Sequence, residues 1–326
     1  MENRLDFVSI GEVMIQLNNI TPGPLRYARY FETHVAGSEA NVMVGLRKLG
    51  HRTGLITRVG NDEFGEMILR TLRGEDIDIT HVRVMDEAPT GIYFVQRHFP
   101  IPGKSTVIYY RHGSAASYMS EDDIDEKYIK RASVLFLTGI TPALSESCYR
   151  AVAKARSIAL ENGLDVVFDT NIRIKLWRTA DNARSKLIPL ISGSRIVLTN
   201  KEDLEILFPG KGVADAAKSL FNMGAEIVVV KRGEEGSELY SKDGRFFEEK
   251  AISIPFVEDV IGAGDAFDAA FLSIFYRSRD LRMALRYANI AGALVATVRG
   301  DIEAQPSIKE LEILGRYIRE RMDYLR

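Results

Sequence analysis

The sequence has few of the residues that build disulfide-rich, metal-binding or membrane proteins. It contains one cysteine, Cys148, so no disulfide can form within the chain, and no histidine cluster accompanies it to make a metal site. No apolar run reaches the roughly 18 residues that a membrane-spanning helix needs. The N-terminus also lacks the apolar segment of a signal peptide. These absences predict a soluble protein of the cytoplasm.

Charge and motifs exclude several further classes. The formal net charge of -2 gives no overall basic excess for binding nucleic acid or an anionic membrane. Five scattered histidines give little support to a histidine-based metal or acid–base site. The sequence has no G-x-x-x-x-G-K-[ST] loop, no opening G-x-G-x-x-G fingerprint and no protein-kinase H-R-D and D-F-G pair. A Walker-type NTPase, a Rossmann dehydrogenase and a protein kinase are therefore disfavoured.

What the sequence does contain is a long alternation of apolar and amphipathic segments. The 326 residues, 46% of them hydrophobic, are enough to bury a sizeable core. Continuous apolar runs alternating with helical spacing predict right-handed βαβ units and a mostly parallel sheet covered by helices on both faces. Strands are predicted at 7–11, 52–60, 133–139, 165–171, 195–200 and 226–233, and helices at 39–50, 63–77, 145–163 and 214–224.

Two segments, at about 13–35 and 91–113, interrupt this alternation. The second contains "GIYFVQRHF" and "TVIYYRHG", which are rich in β-branched and aromatic residues and separated by the turn-like "PIPGKS". The two segments fit either a small β-sheet lid at one end of the main sheet or additional edge strands. We expect a single domain over 1–326 in which both segments are insertions that form the lid.

The junction "EDVIGAGDAFDAAF" (258–271) places two glycines and an aspartate before a helix predicted from about Asp265 to Tyr276. Gly262 and Gly264 allow close approach of the backbone to a ligand. The unpaired N–H groups of a helix start favour an anion such as phosphate. Asp265 therefore fits two roles, a helix cap or a base that takes a proton from a hydroxyl attacking a bound phosphate.

Three segments that follow one another along the chain resemble the signature regions of the ribokinase-like (PfkB-type) carbohydrate kinases. They are "GSEANVMVGLRKLG" (37–50), "RVGNDEFGEMI" (58–68) and "GAGDAFDAAF" (262–271). The resemblance extends over nearly the whole chain. It implies a parallel α/β domain with a β-sheet lid, and transfer of the γ-phosphoryl group of ATP, with Mg²⁺, to a sugar hydroxyl.

Within this family, four further segments are most similar to the kinases of 2-keto-3-deoxygluconate, a sugar acid. They are "VIYYRHGSAAS" (107–117), "LTGITPALS" (137–145), "DTNIRIKLW" (169–177) and "VRGDIEAQP" (298–306). The resemblance implies phosphorylation of the terminal 6-hydroxyl. Fructokinases share parts of the first and third segments, so a hexose or ketose kinase stays an alternative. A non-catalytic sugar- or nucleotide-binding protein is a second alternative.

The resemblance implies a role for each matching residue. Asp265 would be the base, and the backbone amides of Gly262, Ala263 and Gly264 would stabilise charge on the transferring phosphoryl group. The substrate would contact Gly37, Ser38, Asn41, Tyr93, Tyr109, Arg111, Arg173, Asp265 and Asp301. The nucleotide would contact Asn171, Arg173, Asn200, Lys231, Arg232, Gly233, Gly236, Gly262, Gly264 and Asn289. No metal ligand is assigned.

Several of these residues have a purely structural alternative. Arg111 and Arg173 would lie near the acidic end of the substrate, where a guanidinium binds a carboxylate through two hydrogen bonds. Without the resemblance, both arginines also fit surface charges. Tyr93 and Tyr109 equally fit packing residues of a hairpin.

The chain departs from the family just before the two glycines. Relatives commonly have a hydroxyl residue there, whereas this sequence has Val260 and Ile261. The loss of that hydroxyl makes a dependence on K⁺ doubtful but leaves the backbone donors and Asp265 in place. A lid with one apolar face also predicts a homo-oligomer that forms through the lid, because an exposed apolar sheet is prone to association.

Overall fold

The structure is a computed structural model that describes residues 4–101 and 103–324. Its strands are β1 (Phe7–Ile10), β2 (Met14–Asn19), β3 (Phe31–Ala36), β4 (Thr53–Gly60), β5 (Asp78–Met85), β6 (Ile92–Gln96), β7 (Thr106–Tyr110), β8 (Val134–Thr138), β9 (Asp165–Asp169), β10 (Ile196–Asn200), β11 (Ile227–Lys231), β12 (Ser237–Ser241) and β13 (Phe246–Glu249). Its helices are α1 (Ser38–Lys48), α2 (Glu63–Gly74), α3 (Glu126–Ile129), α4 (Glu146–Glu161), α5 (Ile174–Trp177), α6 (Ala180–Ile191), α7 (Lys201–Leu207), α8 (Val213–Asn222), α9 (Ala263–Ser278), α10 (Leu281–Val295) and α11 (Ile308–Tyr324).

A nine-stranded sheet with the order β13-β12-β11-β10-β9-β8-β1-β4-β5 carries the fold. The strands from β11 to β5 run parallel, and β12 and β13 add an antiparallel edge. Adjacent residues of β8 belong to opposite apolar clusters, Leu135 to one that includes α4, α6 and α8 and Phe136 to one that includes α1, α2, α9 and α10. The predicted parallel sheet with helices on both faces is confirmed. None of the helices in the described ranges is long and apolar enough to cross a membrane.

The two interrupting segments join into one separate four-stranded sheet, with the order β3-β2-β6-β7. We call it the small sheet. Strand β2 pairs antiparallel with β3 and parallel with β6, and β6 pairs antiparallel with β7. The alternative of extra edge strands on the main sheet is therefore wrong, and the predicted small sheet is confirmed.

Helix α9 starts where the backbone turns through Gly262. This residue has a φ of 79°, a left-handed conformation that L side chains rarely adopt, and a Cβ here would lie 3.2 Å from the Cα of Asp301. The helix begins at Ala263, two residues before the predicted start. It packs closely on α1, because Gly45 of α1 has no side chain and a Cβ there would lie 2.7 Å from Ala269. The starts of α1 and α9 consequently lie side by side.

Candidate active site

A cleft of about 820 Å³ opens between the small sheet and the carboxyl ends of the parallel strands. This is where parallel α/β sheets bind ligands. The starts of α1 and α9 form part of its wall. Sixteen of the predicted site residues line it, namely Gly37, Ser38, Asn41, Tyr93, Tyr109, Arg111, Asn171, Arg173, Asn200, Lys231, Arg232, Gly233, Gly262, Gly264, Asp265 and Asp301.

Three predicted residues, Gly236, Ala263 and Asn289, do not line the cleft. Gly236 has a φ of 103°, and a Cβ there would lie 2.1 Å from the carbonyl oxygen of Glu249. The amide of Ala263 donates to the carbonyl oxygen of Val260 at 3.3 Å. The side chain of Asn289 donates to Ser237 at 2.9 Å. These residues shape the loops beside the cleft, and a contact of any of them with nucleotide stays a prediction.

Asp265, in the first turn of α9, is buried and fixed by two donors from α1. The hydroxyl of Ser38 donates to Oδ1 at 2.7 Å, and Nδ2 of Asn41 donates to Oδ2 at 2.7 Å. The carboxylate is thus directed at α1 and does not cap its own helix. The N-cap residue of α9 is Gly262, and no side chain caps this helix start. Burial raises the pKa of Asp265, and the bonds from Asn41 and Ser38 oppose the rise. A fixed, buried carboxylate with raised basicity suits a general base.

A second buried carboxylate, Asp301, shares Asn41 with Asp265. Nδ2 of Asn41 donates to Oδ2 of Asp301 at 2.8 Å, and the hydroxyl of Tyr93 donates to the same oxygen at 3.4 Å. Burial, and then the charge of Asp265, raise the pKa of Asp301 from 3.8 to about 7. Near neutral pH the two carboxylates therefore carry fewer than two full charges, as expected for like charges held close together.

Lys231 brings a positive charge next to the start of α9. Its Nζ lies 3.1 Å from Oδ2 of Asp169 and 3.0 Å from Oδ1 of Asp268. Burial by itself lowers the pKa of this lysine, but the two carboxylates raise it above its ordinary value, so the side chain stays charged. Nζ is also the nearest atom to a Cβ placed on Gly264, at 3.9 Å. An ammonium beside the free amides of a helix start is an arrangement that binds phosphate.

The two predicted arginines differ in whether their charge is already paired. Arg111 is buried, and its Nη2 pairs with Glu12, which also accepts from Ser114. The interpretation of Arg111 as a surface charge is therefore wrong. Arg173 is exposed at the start of α5, and its guanidinium has no ion pair within the described residues. Arg173 is consequently the arginine that is available to a ligand carboxylate.

Sequence reasoning missed three acidic residues of this region, Glu12, Glu39 and Asp268. Glu12 lies two residues after the end of β1, so the rule that ligands bind beyond strand ends would have found it. Glu39 accepts from the hydroxyls of Thr138, at 2.6 Å, and Thr141, and burial raises its pKa to about 7. Asp268 is fully buried one turn after Asp265, a spacing that the helical pattern contained.

The acidic residues fit a nucleotide-borne magnesium ion better than a resident metal. Across residues 4–101 and 103–324, no group of three or more His, Cys, Asp or Glu could hold a metal ion. Oδ1 of Asp169 is buried without a hydrogen-bond partner, and Asp169 lines the cleft. Protein sites commonly hold Mg²⁺ with one or two carboxylates together with the phosphates of the substrate.

At the position where the resembling family commonly has a hydroxyl, the cleft has apolar side chains. Val260 is 63% exposed and lines the cleft. Ile261 packs against the apolar cluster of the small sheet that contains Tyr93 and Val95. No side-chain hydroxyl of this dipeptide can therefore contact a phosphate or a cation.

Comparison with known proteins extends over nearly the whole chain. The profile described as pfkB family carbohydrate kinase matches residues 4–308. A 2-dehydro-3-deoxygluconokinase of Thermoproteus tenax is 45% identical over 314 residues, which cover 96% of this chain and 95% of that protein. A 5-dehydro-2-deoxygluconokinase of Halalkalibacterium halodurans is 30% identical over 319 residues, with 96% and 95% covered. A structure described as a ribokinase II of E. coli in complex with ATP and Mg²⁺ has a TM-score of 0.89 at 27% identity, with 96% of this chain and 99% of that chain covered.

Proposed function

The chain belongs to the pfkB family of carbohydrate kinases, and from this we propose that it uses ATP to phosphorylate the terminal hydroxyl of 2-keto-3-deoxygluconate. The observation that carries the choice of a sugar acid is the guanidinium of Arg173, which lines the cleft and forms no ion pair with the residues that the structure describes. A carboxylate accepts two parallel hydrogen bonds from a guanidinium, which a neutral hydroxyl cannot match. The 45% identity to a kinase named for this substrate supports the same choice.

In the proposed reaction, Asp265 accepts the proton of the attacking hydroxyl. Ser38 and Asn41 hold its carboxylate in one orientation. The amides at the start of α9 and the ammonium of Lys231 stabilise negative charge on the transferring phosphoryl group. The small sheet keeps water, a competing acceptor, away from the cleft. Mg²⁺ held by the nucleotide phosphates supplies further charge neutralisation.

We propose that the nucleotide binds beside the carboxyl ends of β10 and β11. Asn200 ends β10 and Lys231 ends β11, and both line the cleft with Arg232 and Gly233. Lys231, at the end of β11, lies next to Gly264 at the start of α9 and so brings these strand ends close to Asp265. A kinase that consumes ATP in this way would work in the cytoplasm.

A substrate panel tests the proposal. ADP release is measured with 2-keto-3-deoxygluconate, 5-dehydro-2-deoxygluconate, fructose and ribose under the same conditions. We expect the highest kcat/KM on 2-keto-3-deoxygluconate. A higher value on fructose would replace the proposal by the fructokinase alternative. Sugar binding without any ADP release would favour the non-catalytic alternative.

Arg173→Ala is expected to lower kcat/KM for the sugar acid by about 10- to 100-fold, the equivalent of losing a charge-assisted hydrogen bond. Turnover of a neutral ketose should change by no more than about twofold, because it has no carboxylate for Arg173 to bind. The measurement is steady-state kinetics on both substrates with each variant.

Two variants of the same segment serve as controls for Arg173. Arg178→Ala removes a neighbouring exposed arginine that does not line the cleft, and it should leave both substrates unaffected. Arg173→Lys keeps the charge and should retain part of the activity on the acid. An equal loss on the acid and on the ketose would argue against a carboxylate role for Arg173.

We also propose that two copies of the chain pair through their small sheets. The face opposite to the cleft carries a row of aromatic rings, with Phe31 and Phe94 at 5.3 Å and Phe94 and Tyr110 at 5.6 Å between centroids. Ile108 and Tyr110 are 39% and 64% exposed on this face. A β-sheet face of this composition is stabilised when a second copy covers it.

Sedimentation at micromolar protein tests the pairing. The wild type should sediment as a dimer, and Ile108→Glu should sediment as a monomer because it places a charge on the apolar face. Ile313→Glu is the control, since Ile313 is an exposed apolar residue on α11, outside the small sheet, and it should stay dimeric. A wild-type monomer would contradict the pairing.

A further inference from the structure

Glu258, in the loop that leads to the glycine turn, contacts two arginines through one oxygen. Its Oε1 accepts from Nη2 of Arg97 and from Nε of Arg299, the latter at 2.7 Å. The hydrogen bond from Arg299 helps to hold the pKa of Glu258 below its ordinary value. The carboxylate of Glu258 is therefore ionised, and it forms an ion pair with each of the two arginines.

The first cation belongs to the small sheet. Arg97 follows β6 directly and is buried. Its amide donates to Oδ1 of Asn19 at 3.1 Å, and its Nη1 donates to the carbonyl oxygens of Asn19 and Ile20 at 3.4 and 3.3 Å. These contacts fix the guanidinium to β2 and to the residue after it. Glu258 is the carboxylate that balances its charge, and a buried charge that loses its partner is strongly destabilising.

The second cation connects the same loop to another strand of the small sheet. Nη1 of Arg299 donates to Oε1 of Glu32, on β3, at 2.8 Å. A separate pair lies two residues further along β3, where Nδ1 of His34 is 2.7 Å from Oε1 of Glu303. The small sheet is thus joined to the segments on both sides of Asp301 by the ion pair of Arg299 with Glu32 and by the hydrogen bond between His34 and Glu303.

The strands of the small sheet that carry these pairs also contain buried amide side chains. Gln16 and Asn18 lie opposite His34 and Glu32 in the β2–β3 register, and their side-chain amides have no hydrogen-bond partner among the described residues. Apolar packing tolerates sliding, whereas charge pairs and hydrogen bonds are directional. The ion pairs therefore constrain the relative position of the small sheet and the loop, together with the packing of Ile261 on the apolar cluster of the sheet.

On the loop side, Glu258 is close in sequence to the catalytic turn. It precedes Gly262 by four residues, and no helix or strand intervenes. Its amide donates to the carbonyl oxygen of Ala296 at 2.9 Å. Glu258 is therefore connected to the amides at the start of α9 by a short stretch of backbone.

We propose that Glu258 is a positioning residue, which couples the seating of the small sheet over the cleft to the placement of the glycine turn through its ion pairs with Arg97 and Arg299. The inference rests on the proposed kinase activity and adds to it a residue that contacts neither sugar nor nucleotide. A misplacement of catalytic groups by a fraction of an ångström to about 1 Å lowers turnover substantially.

Glu258→Gln tests the coupling, because it removes the charge and keeps the size of the side chain. We expect kcat to fall about tenfold, with the dissociation constant for ATP within about twofold of wild type. The fraction of ATP hydrolysed without formation of sugar phosphate should rise, since a loosely seated sheet admits water. Glu258→Asp keeps the charge and should recover part of the loss.

A double-mutant cycle separates coupling from a general loss of stability. If Glu258 acts through Arg299, then Glu258→Gln combined with Arg299→Gln should lose little more kcat than the single variants. Glu226→Gln is the matched control. Glu226 pairs at 2.8 Å with Arg195, which also contacts Asp165 at 2.7 Å, in an ion network at the other end of the strands. Its kcat should equal that of the wild type.

Three results would overturn the inference. They are a kcat of Glu258→Gln within about twofold of wild type, a similar loss in Glu226→Gln, and full recovery of kcat at a temperature where the variant is completely folded. All variants are compared on whichever carbohydrate the wild type phosphorylates best. A wild type that prefers another sugar would thus contradict the proposed substrate and leave the test of Glu258 intact, whereas a chain without any turnover would overturn both.

Discussion

Asp265→Asn is expected to lower kcat by about a thousandfold, within the range that general-base catalysis contributes. The amide keeps the shape of the carboxylate and one oxygen for the donors on α1, but it cannot take up the proton of the attacking hydroxyl. ATP binding should persist, because the amides at the start of α9 and Lys231 are unchanged. Single-turnover kinetics and calorimetric titration with ATP measure the two effects separately.

A second aspartate at a helix start provides the control for Asp265. Oδ1 of Asp280 accepts from the amide of Met283 at 2.9 Å and so caps α10. Asp280→Asn should change stability slightly and leave kcat unaffected, because asparagine is also a good cap. Near wild-type turnover of Asp265→Asn would refute its assignment as the base.

Asp301→Asn is expected to stabilise the protein at alkaline pH and to remove part of the pH dependence of its stability. The pKa of Asp301 is about 7 in the folded chain and 3.8 ordinarily. Between these values the folded state binds a proton that the unfolded state has released. Stability therefore falls as pH rises from about 4 to about 7, by roughly 2–4 kcal/mol for this group. Asparagine carries no charge to be desolvated and avoids this loss.

Urea unfolding of wild type and variant at several pH values measures this effect. The difference in unfolding free energy should be smallest near pH 4 and should grow in favour of Asp301→Asn up to about pH 8. The contributions of other titrating groups to the unfolding free energy largely cancel when the wild type and the variant are compared. A difference that does not change with pH would contradict the raised pKa. In the background of Asp265→Asn the growth should be weaker, because the charge of Asp265 contributes to the rise.

The fold was largely predictable because its strongest signals are local. Buried strands such as β8 and β11 are continuous apolar runs, and β8 is followed by the helical pattern of α4. Strand β5 escaped prediction because it forms the edge of the sheet and its residues are half-buried or exposed. An edge strand lacks the continuous apolar pattern that identifies a central one.

The sequence predicted residues that the structure brings together in one cleft, but it did not predict how their charges pair. The resemblance indicated Arg111 and Arg173 alike, yet the structure pairs Arg111 with Glu12 and gives Arg173 no ion pair within residues 4–101 and 103–324. Arg97 and Glu258 lie 161 residues apart in sequence. Which charges meet at such separations depends on how the small sheet lies against the loop, and no spacing in the sequence contains that information.

The close packing of α1 on α9 has a consequence for the order in which the protein is made. Ser38 and Asp265, which meet at the start of these helices, are separated by 227 residues. On the ribosome, α1 emerges early. Helix α9, which packs on α1, is translated after every other helix except α10 and α11. Val42 and Leu46 are fully buried in an apolar cluster that also contains residues of α9, and this cluster stays incomplete through most of synthesis. We expect the nascent chain to need protection from aggregation until α9 emerges, and Asp265 and its two donors to meet only then.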